Sequence, residues 1–334
     1  MKRVLVVGAG FSGAVVAREL AEHNYKVWVI DSRDHIAGNA YDYTNEHGIR
    51  VHKYGPHLFH TNNKEVFQYL GRFTEWVDYK HKVKAQLDDG RYVTLPVNRE
   101  TKEIVGEENV LDTFFRPYTK KMWGVELDEL NPDIINRVPI RDDDNEYYFP
   151  NDEYQAMPKD GYTAMVERML AHENITVKLS TNYDKSLNLL FDHVFNSMPI
   201  DQYFDFKYGE LPYRSIKFET VHLPVPKALP TATVNFTHDG PKTRVTEWKN
   251  IPCHGDNKYI TTLTFEEPCD YKDNNMERYY PIKDRDGKNR ELYEKYKSEQ
   301  PENMTFIGRC GLYAYLDMHQ AVNSALATVR KFLS

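Results

Sequence analysis

The first 31 residues alternate between strand-like apolar runs and a helical period. Residues 3–7 (RVLVV) form a continuous apolar run, which is typical of a strand buried on both faces of a parallel sheet. Small apolar residues then recur at helical spacing through residues 14–21, and residues 26–31 (KVWVID) form a second apolar run. The pattern predicts a β-α-β unit at the start of the chain.

This rhythm stops after residue 40. Residues 76–97 have the pattern of short strands around an Asp-Asp-Gly turn, and residues 99–122 follow a helical pattern. Residues 214–265 alternate between polar and apolar positions, as the strands of an antiparallel sheet do. The middle of the chain is therefore predicted to hold an antiparallel sheet and a short helical region, not further β-α-β units.

A strand and a helix close the chain. Residues 304–309 (MTFIGR) read as a buried strand with a Gly-Arg turn, and a helical period of apolar residues follows Asp317. Such a strand and helix would return the C-terminus to the first sheet. We therefore expect an α/β fold with a Rossmann-like domain built from both chain ends.

A glycine fingerprint lies between the first strand and helix. Gly8, Gly10 and Gly13 have the spacing G-x-G-x-x-G, and Asp31 closes the second strand. The glycines permit a tight turn, close approach of a diphosphate, and packing of the helix on the strand. The helix N-terminus stabilises the phosphates, and Asp31 can accept hydrogen bonds from ribose hydroxyls. The β-α-β unit is predicted to bind a dinucleotide.

Composition narrows the possible partners. The chain has 334 residues and a formal net charge of -7, which argues against nucleic acid as a partner. Its three cysteines (Cys253, Cys269 and Cys310) lack C-x-x-C spacing, so neither a disulfide framework nor a zinc site is indicated. No apolar run is long enough for a membrane span or a signal peptide. We expect a cytoplasmic protein.

Two histidines, His57 and His60, stand three residues apart in the segment KYGPHLFHT (53–61). They are candidates for a metal pair, an acid/base pair or the wall of a cofactor site. No carboxylate or cysteine follows a metal-ligand spacing beside them, and residues three apart in an extended segment point in different directions. Neither a metal pair nor an acid/base pair is favoured by these residues, and no metal site is predicted.

Longer motifs along nearly the whole chain resemble the UDP-galactopyranose mutase family of flavoenzymes. The resemblance rests on several long and unusual segments, which are "GNAY" (38–41), "HKYGPHLFHT" (52–61), "LPVN" (95–98), "FFRPYTKKMWG" (114–124), "INRVPIR" (135–141), "YQAMPKDGYT" (154–163), "PIDQYFDFKYG" (199–209), "YYP" (279–281) and "IGRCGLYAYLDMHQAV" (307–322). Together they are far more specific than the glycine fingerprint.

The resemblance implies an isomerase that interconverts pyranose and furanose forms of a nucleotide sugar with no net redox change. In the family, N5 of reduced FAD attacks the anomeric carbon and displaces the nucleotide diphosphate, which implies FAD here. The product class, UDP-galactofuranose or a close analogue, implies a role in building cell-surface polysaccharides. Two alternatives remain open, an amine-oxidase-type flavin oxidoreductase and a non-catalytic nucleotide-sugar binder.

The resemblance also implies site residues. The diphosphate would be held by two arginines, Arg137 and Arg244, because a planar guanidinium matches phosphate geometry. The expected catalytic residues are these arginines with Tyr280, Tyr315 and His60. The expected substrate-binding residues are Asn98, Phe114, Phe115, Tyr118, Trp123, Arg137, Tyr148, Asn235, Arg244, Tyr280 and Tyr315. The expected FAD-binding residues are Gly8, Gly10, Gly13, Asp31, Gly38, Asn39, His57, His60, Gly308, Arg309, Asp317 and Met318.

The chain departs from the family pattern in two ways. Only 15 residues separate "LPVN" from "FFRPYT", where the family has several more helices that support its dimer. We therefore expect a monomer or a non-standard homodimer. Ala37 replaces a family glycine, which is tolerable unless the position needs a positive φ. These departures leave the sugar open among galactose, N-acetylgalactosamine and 6-deoxy sugars, on UDP or dTDP.

Three domains are expected. The FAD-binding domain would combine residues 1–75, 180–212 and 300–334. A reduced helical domain would span residues 99–136. An antiparallel substrate domain would combine residues 76–98, 137–179 and 213–299.

Overall fold

The structure is a computed structural model that describes residues 1–127, 129 and 140–334. Its first layer is a five-stranded parallel sheet with the strand order β10-β2-β1-β11-β17. The bounds of these strands are Arg3–Val7 (β1), Lys26–Ile30 (β2), Ile175–Lys178 (β10), His193–Asn196 (β11) and Met304–Phe306 (β17). The predicted β-α-β unit and the return of the C-terminus to the first sheet are both confirmed.

A seven-stranded sheet forms the second layer, in the order β16-β12-β15-β14-β13-β7-β8. Its pairs are antiparallel except for the parallel pair β13 and β7. The bounds are Val83–Gln86 (β7), Tyr92–Leu95 (β8), Tyr213–Leu223 (β12), Thr233–Phe236 (β13), Arg244–Glu247 (β14), Thr261–Asp270 (β15) and Tyr280–Pro281 (β16). The alternation predicted between residues 214 and 265 is confirmed.

Two small sheets join the layers. One is a hairpin of β3 and β4, and the other has the order β5-β9-β6. Their bounds are Asp42–Thr44 (β3), Arg50–His52 (β4), Phe59–Thr61 (β5), Trp76–Asp78 (β6) and Tyr154–Pro158 (β9).

The α-helices of the described residues cover the parallel sheet and one edge of the large sheet. They are Phe11–Glu22 (α1), Lys64–Leu70 (α2), Arg99–Val105 (α3), Arg116–Trp123 (α4), Tyr162–Leu170 (α5), Ile200–Tyr203 (α6), Lys288–Ser298 (α7), Gly308–Gly311 (α8) and Met318–Leu333 (α9). A π-helical turn, Leu111–Phe115, leads into α4. No helix in these ranges has the length and apolar character needed to cross a bilayer.

The main core lies between the parallel sheet and helices α1, α5 and α9. Val4, Val6, Leu20 and Phe195 are fully buried there. Burying each such side chain contributes roughly 1.5–3 kcal/mol. Helix α9 begins with a capping box, in which Asp317 and Gln320 accept from each other's backbone N–H groups. This packing fixes both chain ends against one sheet.

One segment lies elsewhere than expected from the sequence. The sequence pattern placed residues 162–178 in the substrate domain. In the structure they form α5, which packs on α1, and β10, which pairs with β2. Strand β10 sits at the sheet edge, and its alternating residues did not show the continuous apolar run of a central strand. The three-domain division stays a proposal.

Candidate active site

A cavity of about 680 Å³ opens at the carboxyl ends of β1 and β2. Ligand sites of open α/β sheets lie at this edge. The cavity is lined by ten of the residues expected to bind the cofactor, which are Gly8, Gly10, Gly13, Asp31, Gly38, Asn39, His57, Gly308, Arg309 and Met318.

The fingerprint glycines are required by close backbone contacts. Gly8 has φ +104°, and a Cβ there would lie 1.9 Å from Ser197 Oγ. A Cβ on Gly13 would lie 1.9 Å from the carbonyl oxygen of Gly8, so this glycine lets α1 pack on the turn. Side chains at these positions would clash with Ser197 and with the turn itself, so the turn that faces the cavity could not keep this shape.

The N-terminus of α1 faces the same cavity. Its N-cap residue, Gly10, supplies no side-chain acceptor, so the first-turn N–H groups are available to an anion. Asp31 closes β2, and its carboxylate accepts from the N–H groups of Ala9 (2.8 Å) and Arg33 (2.9 Å). The residues present fit the diphosphate and ribose of a dinucleotide.

Ala37 adopts a left-handed backbone conformation, which favours glycine. Its φ is +68°, and its N–H donates to the carbonyl of Ala9 at 2.9 Å. The left-handed region disfavours a Cβ. Ala37 is therefore strained at a point where the loop folds against the glycine turn.

A larger cavity of about 940 Å³ continues from the first. Four residues line both cavities, namely Asn39, His57, Arg309 and Met318. The remaining expected site residues that line the larger cavity are His60, Phe114, Phe115, Tyr118, Trp123, Tyr148, Asn235, Arg244, Tyr280, Tyr315 and Asp317. The two cavities therefore meet at these four residues.

A buried ion pair supplies positive charge to the larger cavity. Arg244 on β14 lies directly opposite Glu266 on β15, and its Nε is 2.8 Å from Glu266 Oε1. The Glu266 side chain is 1% exposed and that of Arg244 is 28% exposed. Burial alone would lower the pKa of Arg244, but the Glu266 carboxylate raises it above its usual value. The guanidinium stays charged while part of it faces the cavity.

Stacked tyrosines form a second part of the wall. The rings of Tyr280 and Tyr315 stack with centroids 5.3 Å apart, and the guanidinium of Arg309 lies 5.1 and 5.3 Å from their centroids. Burial, followed by the nearby Tyr315, raises the pKa of Tyr280 to about 12. Burial also raises the pKa of Tyr118. These hydroxyls stay protonated and able to donate at neutral pH.

His57 is held neutral beside the junction of the two cavities. Its Nδ1 lies 2.8 Å from the carbonyl oxygen of Gly55. A carbonyl only accepts, so Nδ1 carries the proton and Nε2 keeps its lone pair. Burial, with added repulsion from Arg309 and Arg244, lowers the pKa of His57 to about 4.

His60 faces the larger cavity through different partners. Its Nδ1 is 2.5 Å from Asp152 Oδ2, and its ring stacks on Phe149 with centroids 3.5 Å apart. Both histidines line this one cavity, although each is oriented by its own partner. These contacts give no support to a metal pair formed by His57 and His60 or to a direct proton relay between them.

Two expected substrate residues have different outcomes. Asn98 is buried and is not among the residues lining the larger cavity, because its Oδ1 accepts from Thr101 N at 3.0 Å as the N-cap of α3. Its Nδ2 is buried and has no hydrogen-bond partner among the described residues. Asn98 therefore caps the helix, and its expected contact with the substrate stays a prediction. Arg137 lies outside the described residues. Its expected role stays a prediction.

The sequence did not single out Glu266 or His81. The cross-strand pairing of Arg244 with Glu266 requires the register of β14 and β15, which no local motif shows. His81 also lines the larger cavity, with its Nδ1 3.0 Å from the Tyr79 hydroxyl. Burial lowers the pKa of His81 to about 3, so its imidazole is neutral. A histidine between two lysines gives no sequence signal of a buried position.

The fold defines a Rossmann-like dinucleotide-binding protein with a second cavity lined by Arg244 and aromatic side chains. Comparison with known proteins makes this class specific. The UDP-galactopyranose mutase family profile matches residues 113–315, and an NAD(P)-binding Rossmann-like domain profile matches residues 6–73. The chain belongs to the UDP-galactopyranose mutase family and is an isomerase of that type.

Similar proteins extend over the full chain. A Klebsiella pneumoniae protein described as a probable UDP-galactopyranose mutase is 36% identical, covering 100% of this chain and 95% of that protein. The Escherichia coli dTDP-fucopyranose mutase is 32% identical, covering 100% of this chain and 99% of that protein. A crystal structure of reduced UDP-galactopyranose mutase has a TM-score of 0.79 at 16% identity, covering 100% of this chain and 94% of that chain. The FAD-binding Rossmann-like fold is thereby confirmed.

Proposed function

We propose that the protein interconverts UDP-galactopyranose and UDP-galactofuranose, or a close analogue, with reduced FAD as its cofactor. The proposal rests on the family assignment and on one structural observation. The charged Arg244 faces a cavity that continues into the dinucleotide cavity. A nucleotide diphosphate bound there would lie next to the flavin.

Arg244 is oriented for a diphosphate by its partner. Glu266 engages Nε, and the described residues show no hydrogen bond to the terminal nitrogens of Arg244. Those nitrogens can donate in parallel to phosphate oxygens. The arginine would bind the diphosphate before the sugar leaves it and stabilise the charge that develops on departure. Arg137, in the family's second arginine position, would complete this clamp.

Different residues of the larger cavity's wall would bind the nucleobase and the sugar. Phe115, Tyr118 and Trp123 offer an apolar and aromatic surface for the nucleobase, and Tyr280 and Tyr315 offer hydroxyl donors near Arg309. Reduced FAD supplies the nucleophile for the anomeric carbon when it is bound. The protein must therefore position the sugar over the cofactor, hold the departed diphosphate and exclude water.

A dTDP-linked 6-deoxy sugar is a second substrate candidate. It is favoured by the full-length similarity to the Escherichia coli dTDP-fucopyranose mutase. The nucleobase and the sugar C6 group are the parts that differ between the two candidates. The diphosphate is common to both candidates, and Arg244 would bind it in either one.

A substrate panel tests the proposal. Protein with chemically reduced flavin is incubated with UDP-galactofuranose, dTDP-fucofuranose and UDP-N-acetylgalactofuranose, and the products are separated by chromatography. We expect the pyranose form of one of them, with turnover lost when the flavin is oxidised. Absence of ring interconversion with every sugar, together with steady oxidation of an amine, would support the oxidoreductase alternative instead. Binding without turnover would support a non-catalytic nucleotide-sugar binder.

The quaternary structure follows from the short helical segment. Only α3, a 3-10 turn (Glu107–Asn109), the π-helical turn and α4 occupy the described part of that region. We propose a monomer or a homodimer with a different contact from the family's helical one. Light scattering measures the mass, and a dimer that is broken by substitutions in residues 99–123 would contradict the proposal.

A further inference from the structure

Glu46, His47 and His222 converge at the surface, and none of them lines either cavity. The ligand atoms of these three side chains all lie within 4.8 Å of one another. Glu46 Oε1 is 3.7 Å from His47 Nε2 and 3.6 Å from His222 Nε2. The two imidazole rings meet edge to face with centroids 4.6 Å apart.

These separations approach the geometry of a metal site. In a tetrahedral zinc site, bond lengths of about 2.0–2.2 Å place neighbouring ligand atoms about 3.4 Å apart. The observed distances from Glu46 Oε1 to both nitrogens, 3.6 and 3.7 Å, exceed that spacing by only a few tenths of an ångström. They are also too long for hydrogen bonds. A cation between the three atoms would bind all of them at once.

The histidine on β12 is oriented by a buried hydroxyl. His222 Nδ1 lies 3.0 Å from Thr262 Oγ1, and Thr262 is fully buried. If Nδ1–H donates to this oxygen, the Nε2 lone pair faces Glu46 and is available to a metal. Metal-binding histidines characteristically donate their other ring N–H in this way.

The turn that carries the other two ligands is braced by the same hydroxyl. Asn45 Nδ2 donates to Thr262 Oγ1 at 3.0 Å, and Asn45 Oδ1 accepts from His47 N at 3.0 Å. Asn257 Nδ2 holds the carbonyl of His47 at 3.0 Å. The hairpin turn and strand β12 are thus fixed relative to each other before any ion binds. Three ligands on a braced frame make a pre-organised site.

We propose that Glu46, His47 and His222 bind one divalent transition-metal ion of the zinc type, with water completing the coordination. Two imidazoles and one carboxylate suit zinc and its neighbours in the first transition row more than calcium or magnesium. The ion would tie the β3–β4 turn to the end of β12. Because it lies away from the cavities, its effect would fall on stability. The sequence predicted no metal site, since the ligands come from distant segments.

Calorimetric titration with zinc chloride tests the site. The protein is first treated with a chelator and carries Cys253→Ser, so that this exposed thiol does not compete for zinc. We expect one zinc ion per chain and a higher thermal unfolding midpoint in its presence. His47→Ala and His222→Ala should each weaken binding at least about 10-fold, and Thr262→Val should weaken it by about 10- to 100-fold. His23→Ala, at another exposed histidine, should bind as the parent does.

The same titration can also overturn the proposal. Absence of saturable binding at one ion per chain, or unchanged affinity in both histidine variants, would overturn the proposal. If the variants do not fold, copper(II) binding to the parent protein is followed by electron paramagnetic resonance. Hyperfine splitting from two nitrogens supports the site, and splitting from fewer overturns it.

Discussion

Arg244 and Glu266 face each other across neighbouring strands, with Nε and Oε1 separated by 2.8 Å. Glu266 is buried, whereas part of the guanidinium reaches the larger cavity. A buried carboxylate is costly unless it is paired. Pairing with Glu266 therefore holds the Arg244 guanidinium in one position, whereas an unpaired arginine could adopt several rotamers.

Replacing Glu266 with glutamine tests this positioning. Glu266→Gln keeps the shape but removes the charge that orients Arg244, so we expect kcat/KM to fall about 10-fold or more, which corresponds to about 1.4 kcal/mol. The flavin absorbance should remain unchanged. The matched control is Glu267→Gln, because successive side chains of a strand point to opposite faces. Equal kcat/KM values in both variants would contradict the positioning role.

Removing the Tyr280 hydroxyl should reduce activity with little change in flavin binding. Tyr280→Phe loses one donor toward the ligand, and a hydrogen bond to a charged group contributes about 1.5–3 kcal/mol. We expect at least about a 10-fold loss of kcat/KM.

The alkaline pH profile gives an independent check on that hydroxyl. Since the pKa of Tyr280 is raised to about 12, its protonated form persists through pH 10. An alkaline decline below pH 10 that is present in the parent enzyme and absent from Tyr280→Phe would contradict this assignment.

Substitution of Asn98 tests whether this residue acts only as the N-cap of α3. Asn98→Ala removes the N-cap of α3, so the free energy of unfolding should fall by about 1 kcal/mol. Its KM for the nucleotide sugar should stay near that of the parent. Asn235→Ala is the comparison, because Asn235 lines the larger cavity and its loss should raise KM. Kinetics and urea unfolding of both variants measure the contrast, and a raised KM in Asn98→Ala would show that Asn98 contacts the substrate.

Ala37 should respond favourably to a glycine. Ala37→Gly relieves a left-handed residue with φ +68° and should raise the free energy of unfolding by up to about 1 kcal/mol. Ala40→Gly, nearby at a residue whose φ is not positive, should lower it by roughly 0.5–1 kcal/mol. Thermal or urea unfolding distinguishes them. Destabilisation of the same size in both variants would show that Ala37 is not strained.

Stability should fall in mild acid because several histidines are buried in the neutral form. His52 Nε2 and His254 Nε2 lie 2.9 Å apart, and burial lowers both pKa values, that of His254 to about 4. The unfolded chain takes up these protons near pH 6.5, so it binds more protons than the folded chain below that pH. Stability is fully present above pH 6.5 and is lost as the pH falls toward 4.

Urea unfolding between pH 7 and pH 5 measures this loss. Each such histidine contributes a slope of up to about 1.4 kcal/mol per pH unit. His254→Gln removes one titrating group and should give a shallower slope, whereas the exposed His23→Ala should keep the parent slope. A parent protein that is equally stable at both pH values would contradict the neutral buried pair.

Local sequence signals were sufficient for the dinucleotide turn. Gly8, Gly13 and Asp31 could be assigned because the β-α-β unit is contiguous and its backbone contacts demand glycine. The helix after Asp317 was equally readable from its period and cap. In these cases the determining contacts lie within a few residues or within one motif.

Other features depend on contacts between distant segments. Arg244 was expected in the site, but its partner Glu266 emerges only from strand register. The capping contact of Asn98, by contrast, is readable locally, because an asparagine directly before a helical pattern is an N-cap signal. Glu46 and His222 meet only after the hairpin turn packs on the end of β12. Pairing of this kind is set by the tertiary fold and leaves no local pattern.

The central claim is that a flavin cavity joined to a diphosphate cavity performs isomerisation with no net electron transfer. The most direct measurement counts product molecules per reduced flavin, with anaerobic enzyme, one stoichiometric reduction and excess UDP-galactofuranose or the analogue selected by the panel. We predict many turnovers per chain while the flavin spectrum remains that of the reduced form. Product limited to one equivalent per flavin, with flavin oxidation in step with product, would contradict the account.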